Sequence, residues 1–231
     1  MDGVCAMAEE RAVAGFLAAL TPPETDDLRV RGRRRRFARG STIVNEGEVP
    51  RRVVVLLSGR VKVSDFSADG REIVLGARGP GDLIGEISVL DGQPCSATVT
   101  AFEPVEAMVV EAAEFTAFLD AHPRVLRVVL TSVVQKLRDS DRKRVEFGVH
   151  DTEGRVARRL VELADEHGDE HQGRVSITLP LTQHELAGWT CSSREAVSKA
   201  LGNLRGCGWV ETDRRRVTIV NLDALRRRAG L

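Results

Sequence analysis

Between Phe37 and Val110 a glycine falls every few residues: Gly40, Gly47, Gly59, Gly70, Gly76, Gly79, Gly81, Gly85 and Gly92. Glycine adopts backbone angles that other residues reach only with strain, so a series of this kind punctuates the chain with turns. The segments left between them, 41–44, 53–57, 61–66, 73–75, 97–101 and 107–110, are rich in Val, Ile and Thr, which suit a pleated sheet. Helices of ordinary length do not fit between such turns. The region is therefore expected to fold as a small antiparallel sandwich or barrel of short strands. Ser58-Gly59-Arg60 and Asp69-Gly70 are expected to be hairpin turns.

One segment, from Gly81 to Thr98, departs from the strand pattern. It is expected to form a turn, a single helical turn and a loop into the next strand. The first N–H groups of such a short helix lack helical partners and attract an anion, and Glu86 beside them can accept from a sugar hydroxyl. Upstream, Ala8, Ala12, Phe16, Leu17 and Leu20 predict a helix over 7–20, ended by Thr21-Pro22-Pro23, with a second short helical piece after it. The basic run from Arg31 to Arg36 leads straight into strand-rich sequence, so a sheet face is expected there rather than a nucleic-acid contact.

Downstream the periodicity turns helical. A short helix is expected over 112–119 and a long one over 124–147. Leu126, Leu130, Val133, Leu137, Ser140, Arg144 and Phe147 follow the alternating spacing of a coiled-coil seam. Val125, Val128 and Val129 offer a second surface, for packing on the chain's own barrel. Asp151 or Thr152 starts a helix to about residue 166, and 167–171 is expected to be a charged loop. His167 and His171 stand four apart without a third ligand of clear spacing, so no metal site is expected.

Two further helices carry their own start signals: Thr182-x-x-Glu185, then Ser192-x-x-Glu195. Leu186, Ala187, Val197, Ala200, Leu201 and Leu204 supply an inward stripe, leaving Arg194, Glu195, Ser198 and Lys199 on the other side. A helix presenting Arg and Glu from its first turn is suited to read base edges in a major groove. A strand at 175–179 precedes the pair, and a hairpin of 208–212 and 216–220 follows it. That order is a winged helix-turn-helix. Residues 174–231 hold ten Lys/Arg against five Asp/Glu, whereas residues 1–120 hold fourteen against nineteen. The positive end is thus the one suited to a phosphate backbone.

No apolar run approaches the length of a membrane span, and Glu9, Glu10 and Arg11 break any signal-peptide pattern at the start. Cys5, Cys95, Cys191 and Cys207 are widely spaced, which favours reduced thiols in a cytoplasmic protein. No nucleophile–base set or metal cluster appears, so an enzyme is not expected.

The chain resembles the family of the cyclic-AMP receptor protein and FNR, bacterial one-component transcription regulators. The likeness runs from about residue 16 to 228. It rests on Gly85-Glu86-Ile87-Ser88 with Ser96-Ala97-Thr98, on Asp151-x-x-Gly154-Arg155-Val156-Ala157, and on Ser193-Arg194-Glu195-x-Val197-x-Lys199. It implies an α+β chain in three parts. These are an N-terminal cyclic-nucleotide-binding-type β-roll (a double-stranded β-helix) over 1–121, a long connecting dimerisation helix over 122–148, and a C-terminal winged helix-turn-helix over 149–231.

The resemblance further implies a homodimer on double-stranded DNA at a palindromic TGTGA-like site, with RNA polymerase as a partner if the protein activates. Arg194, Glu195 and Lys199 would read bases; Thr182 and Ser193 would position the phosphates, with Ser198 on the same face. The effector site implied is Gly85, Glu86, Ile87, Ser88, Cys95, Ser96 and Ala97, with Ser140 and Asp141 at the purine end. Two of these depart from the family. Cys95 stands where cyclic-AMP binders carry an arginine for the phosphate, and Ser140-Asp141 replaces a Thr-Ser pair. Losing a charge-assisted hydrogen bond costs roughly 1.5–3 kcal/mol. Cyclic nucleotide is thus the candidate effector, with weak or absent cyclic-AMP binding expected. Cys95 is a semi-buried filler in the first reading and a redox-sensing thiol in the second. Cys191 stands where the family's turn often has glycine. The competing function is a ligand-binding signalling module whose C-terminal domain makes protein contacts.

Overall fold

A computed structural model describes residues 15–68, 70–179, 181–213 and 216–231, without the side chains at 143 and 145–147. Residues 7–14 of the helix expected over 7–20, Cys5, Asp69 of the second hairpin turn and the side chain of the seam position Phe147 lie outside what is described. By contacts the chain divides into two units. One comprises 1–65 and 77–138, the other 66–76 and 139–231.

The first unit holds strands β1 (Gly32–Phe37), β2 (Thr42–Val44), β3 (Arg52–Ser58), β4 (Val61–Phe66), β5 (Glu72–Arg78), β6 (Leu83–Ile84), β7 (Thr98–Ala101) and β8 (Val105–Glu111). The last residue of β4 and most of β5 group with the second unit. Two four-stranded sheets result, in the orders β1-β8-β3-β6 and β2-β7-β4-β5. The alternation along β3 and β8 explains their unbroken apolar runs. Val54, Leu56, Val105, Ala107 and Val109 face the roll interior with Ile43, Ile84 and Val99. Val53, Val55, Met108 and Val110 face the other way, against Leu28, Phe115, Phe118, Val125 and Val129. A sheet covered on both faces loses the polar half of the pattern. At the β3–β4 turn, Gly59 has φ +76°, and a Cβ there would collide with the Pro104 carbonyl oxygen. Glycine is required on both counts.

The helices over the outer face are α1 (Pro22–Arg31), α3 (Ala112–Ala121) and the start of α4 (Pro123–Val149), while α2 (Glu86–Asp91) sits between β6 and β7. Two expectations need correction here. Residues Phe16–Ala19 form a short 3-10 turn, and Thr21-Pro22-Pro23 begins α1 rather than merely ending a helix. Proline is preorganised for a first helical turn, where its missing N–H is unneeded. The arginine run became the exposed edge strand β1, paired with β8 from Gly32↔Val110 to Phe37↔Val105.

The second unit contains α5 (Thr152–His167), β9 (Gly168–His171), β10 (Arg174–Ile177), α6 (Gln183–Trp189), α7 (Arg194–Gly206), β11 (Val210–Asp213), β12 (Arg216–Ile219) and α8 (Leu222–Arg228). Its sheet runs β11-β12-β10-β9. The expected loop at 167–171 is instead β9, fully exposed and paired with β10. It pairs with β10 and has no buried residue, so no hydrophobic alternation marks it in the sequence.

Candidate nucleic-acid interface and effector site

The helix pair is built from the caps upward. Thr182 Oγ1 accepts from Glu185 N at 3.1 Å while Thr182 N donates to Glu185 Oε2 at 2.7 Å, completing the expected capping box. On α7 the cap lies one residue later than expected. Ser193, not Ser192, accepts from Ala196 N at 3.2 Å. Ser192 is held elsewhere: its hydroxyl donates to Thr190 O at 3.0 Å and accepts from Arg155 Nη2 at 3.1 Å. Both cap hydroxyls accept from backbone N–H groups; that of Thr182 keeps its proton to donate to a phosphate, whereas that of Ser193 also faces the Glu195 carboxylate.

Along α7, Val197, Ala200, Leu201 and Leu204 are buried, whereas Arg194, Glu195, Ser198 and Lys199 are exposed on the opposite side. The Glu195 carboxyl is held below its ordinary range by its own backbone N–H, then by the Ser193 hydroxyl and the Arg194 charge. It is therefore an ionised acceptor beside a cationic donor, the pairing that suits a G·C step.

Arg155 is the keystone under this pair. It donates to His150 O at 2.7 Å, Thr190 O at 3.0 Å, Ser192 Oγ at 3.1 Å and Thr152 Oγ1 at 3.3 Å. The sequence offered it only as part of a motif; the structure shows the motif's physical content. Asp151 caps α5 by accepting from Gly154 N at 2.8 Å and binds Arg228 Nη2 with both oxygens at 2.7 Å. Arg228 holds the Asp151 carboxyl low. A Cβ at Gly154 would stand 2.9 Å from Arg228 Nη1, so any side chain there displaces that arginine.

The effector-site residues are distributed less simply. Glu86, the first residue of α2, is 2% exposed, and Lys136 of α4 donates to its Oε1 at 2.6 Å. Lys136 also donates to Leu83 O at 3.3 Å. Sequence reasoning missed Lys136, because a pair fifty residues apart leaves no spacing signal. Ser88 is buried, Ile87 is exposed, and Gly85 caps α2 in the left-handed region. Cys95 is half-buried against the roll core with Phe37 and Val63. Its N–H donates to Glu48 O at 2.9 Å, and its carbonyl accepts from Gly47 N at 2.7 Å. Ser96 is exposed and Ala97 partly so. Ser140 and Asp141 are exposed on the part of α4 that groups with the second unit.

On α4 the two expected surfaces coexist. Val125 and Val129 are fully buried against the roll, while Leu126, Leu130 and Leu137 of the seam are 45%, 59% and 58% exposed. No helix among the described residues is long and apolar enough to cross a membrane.

Comparison with known proteins adds to this geometry. Residues 34–122 match the cyclic nucleotide-binding domain, and residues 154–228 match the Crp-like helix-turn-helix domain. The chain is 33% identical over 193 residues to the CRP-like cAMP-activated global transcriptional regulator of Mycobacterium tuberculosis, covering 84% of this chain and 86% of that one. It is 34% identical over 196 residues to the transcriptional regulator LdrP of Thermus thermophilus, covering 85% and 96%. Among solved structures, a CRP-family transcriptional regulator from Thermus thermophilus superposes with TM-score 0.74 at 30% identity, over 85% of this chain and 97% of that chain. The c-di-GMP-responsive global regulator CLP of Xanthomonas campestris gives TM-score 0.79 at 21% identity, over 86% and 99%, a likeness of fold.

Proposed function

The chain belongs to the cyclic-AMP receptor protein/FNR family of transcription regulators, and on that premise we propose that it is a homodimer binding a palindromic, TGTGA-like DNA site. The observation that carries this reading is the division of α7 into a buried apolar stripe and an exposed face of Arg194, Glu195, Ser198 and Lys199. In this reading Arg194 donates to guanine O6 and N7, Glu195 accepts from cytosine N4, and Lys199 extends the contact. Thr182 and Ser193 donate to phosphates and fix register. The exposed leucines of α4 form the seam with a second copy, which sets two recognition helices about one turn of DNA apart.

The effector end is of altered specificity. Cyclic nucleotide-binding architecture is present, yet the phosphate position carries Cys95 and the Glu86 carboxylate is already paired with Lys136. A cyclic nucleotide would have to compete with that ion pair for Glu86 and would find no arginine for its phosphate. Weak or absent cyclic-AMP binding follows.

The decisive experiment is fluorescence anisotropy with a duplex carrying a TGTGA palindrome, across a salt series, for wild type and Arg194→Ala. Each good bidentate base contact discriminates by about 1–3 kcal/mol. The variant should therefore lose roughly ten-fold or more at the guanine position and keep its residual binding to scrambled duplex. Absence of binding at low salt would overturn the regulator reading in favour of a signalling module with protein contacts. Calorimetry with cyclic AMP and cyclic GMP, on wild type and Cys95→Arg, tests the effector end. Micromolar affinity of the wild type would refute the altered specificity.

A further inference from the structure

The arginine run of β1 borders a cavity that the effector site does not use. Side chains alternate along a strand, so Gly32, Arg34 and Arg36 share one face of β1. Arg34 pairs across the sheet with Met108 of β8, which belongs to the same core as Leu28 of α1 and Phe115 of α3. Glycine at 32 makes room for that methionine, since a Cβ there would collide with Met108 Cγ. Leu57 of β3 packs against this outer core too, whereas Cys95 packs on the roll interior.

Between the 3-10 turn at 16–19, α1 and this outer face lies a cavity of about 300 Å³. Leu17, Leu57 and Met108 give it apolar walls, and Thr25, Arg29 and Arg34 give it polar ones. Packed interiors leave few voids larger than a water molecule, and this one has room for about ten waters. It reaches the size at which small-molecule pockets begin. Its two cations are held only loosely. Arg29 lies 3.1 Å from Asp26 and Arg34 lies 3.8 Å from Glu106, with both arginines exposed. Exposed pairs of this kind contribute little and exchange readily for another anion. Two guanidinium groups over an apolar wall suit a carboxylate that carries an apolar body. Methionine in that wall adapts to the shape of such a body.

We propose that the cavity is a second ligand site, which binds an amphipathic carboxylate with its alkyl or aryl body on Leu17, Leu57 and Met108 and its head between Arg29 and Arg34. The site stands on the first unit alone, and its test needs no DNA.

Octanoate is the probe, titrated into the full chain carrying labelled methionine methyls and followed by NMR and calorimetry. The three methionines are Met1, Met7 and Met108, and Met108→Leu identifies the signal of the last. The Met108 methyl should shift along a one-to-one curve with a dissociation constant below about 1 mM. Octyltrimethylammonium, with the same body and the opposite charge, should bind at least ten-fold more weakly. Arg29→Gln with Arg34→Gln should weaken octanoate at least ten-fold, as loss of charge-assisted hydrogen bonds does. Ala18, exposed on the 3-10 turn, also lines the cavity, and Ala18→Phe should fill it and abolish binding. If Ala18→Phe does not fold, the arginine pair decides alone. A Met108 methyl that does not move with octanoate overturns the site. Equal affinity for the cation overturns it as a carboxylate site. Octanoate binding that the foldable variants leave within two-fold of wild type lies elsewhere on the chain, and overturns it too.

Discussion

Cys191 holds the turn between α6 and α7 with φ +47°, in the left-handed region. A residue with a Cβ pays about 1–2 kcal/mol there, which glycine avoids at some entropic loss in the unfolded chain. Cys191→Gly should therefore raise stability by roughly 0.5–1 kcal/mol, read from the urea midpoint with an unchanged slope. An unchanged or lower midpoint would show that the thiol's own contacts outweigh the strain. Glu86 makes the opposite case. Its carboxylate is buried and its cation is Lys136. Lys136→Met leaves that carboxylate without a counter-charge and should cost roughly 3 kcal/mol. Glu86→Gln together with Lys136→Met should recover most of it. If the single variant unfolds at the wild-type midpoint, the pair contributes nothing to the fold.

At the scale of elements, α1 is fastened to the start of α4 by charge. Arg124 donates to Glu24 from Nε at 3.0 Å and again from Nη2, while His122 Nε2 lies 2.8 Å from Asp27 Oδ2. The Arg124 guanidinium, then the Thr21 N–H, lower the Glu24 carboxyl from 4.5 to about 2. Asp27 is lowered chiefly by His122 and then by Arg31. A carboxyl whose folded pKa is depressed stabilises the fold above its unfolded value and loses that contribution as pH falls through the folded one. The stability due to Glu24 is thus complete above about pH 4.5 and is lost toward about pH 2. Glu24→Gln should lower the urea midpoint at pH 6 and flatten its decline over that interval. A decline parallel to wild type would remove Glu24 from the acid transition.

Elements with periodic side chains were legible in the sequence: the strands of the roll, α4, α5 and the pair α6–α7 all follow their apolar spacing. Those held by backbone or charge were not. β9 has no apolar face, and Phe16–Ala19 tightens into a 3-10 turn ahead of two prolines; the arginines of β1 were placed on a sheet only by the strand-rich sequence after them. The recognition face was legible for the same reason as α7, since its charged side is what the stripe leaves over. Lys136 was not, because its partner Glu86 lies far away in sequence, and Arg155 showed only as part of a motif, since its bonds to Thr190 and Ser192 reach across the chain.

For the whole molecule, a net charge of zero conceals an acidic first half and a basic end. The sum is silent about partners, whereas the distribution favours a phosphate backbone at the helix-turn-helix. One helix-turn-helix reads too few bases to be selective, so the proposed function depends on pairing two copies through α4. Leu126, Leu130 and Leu137 lie on that helix with their side chains uncovered, while Val125 and Val129 already anchor it to the roll. Leu130→Glu would put two carboxylates face to face in the seam without touching that anchor. The variant should sediment as a monomer and melt close to wild type. Its affinity for the palindrome should fall by on the order of 100-fold, because the second half-site is no longer held at high effective concentration. Binding to a single half-site should be unchanged. A variant that still sediments as a dimer would place the contact between copies elsewhere. A monomer that keeps full palindrome affinity would mean that one copy suffices, and the reading of α4 as the dimer seam would fall.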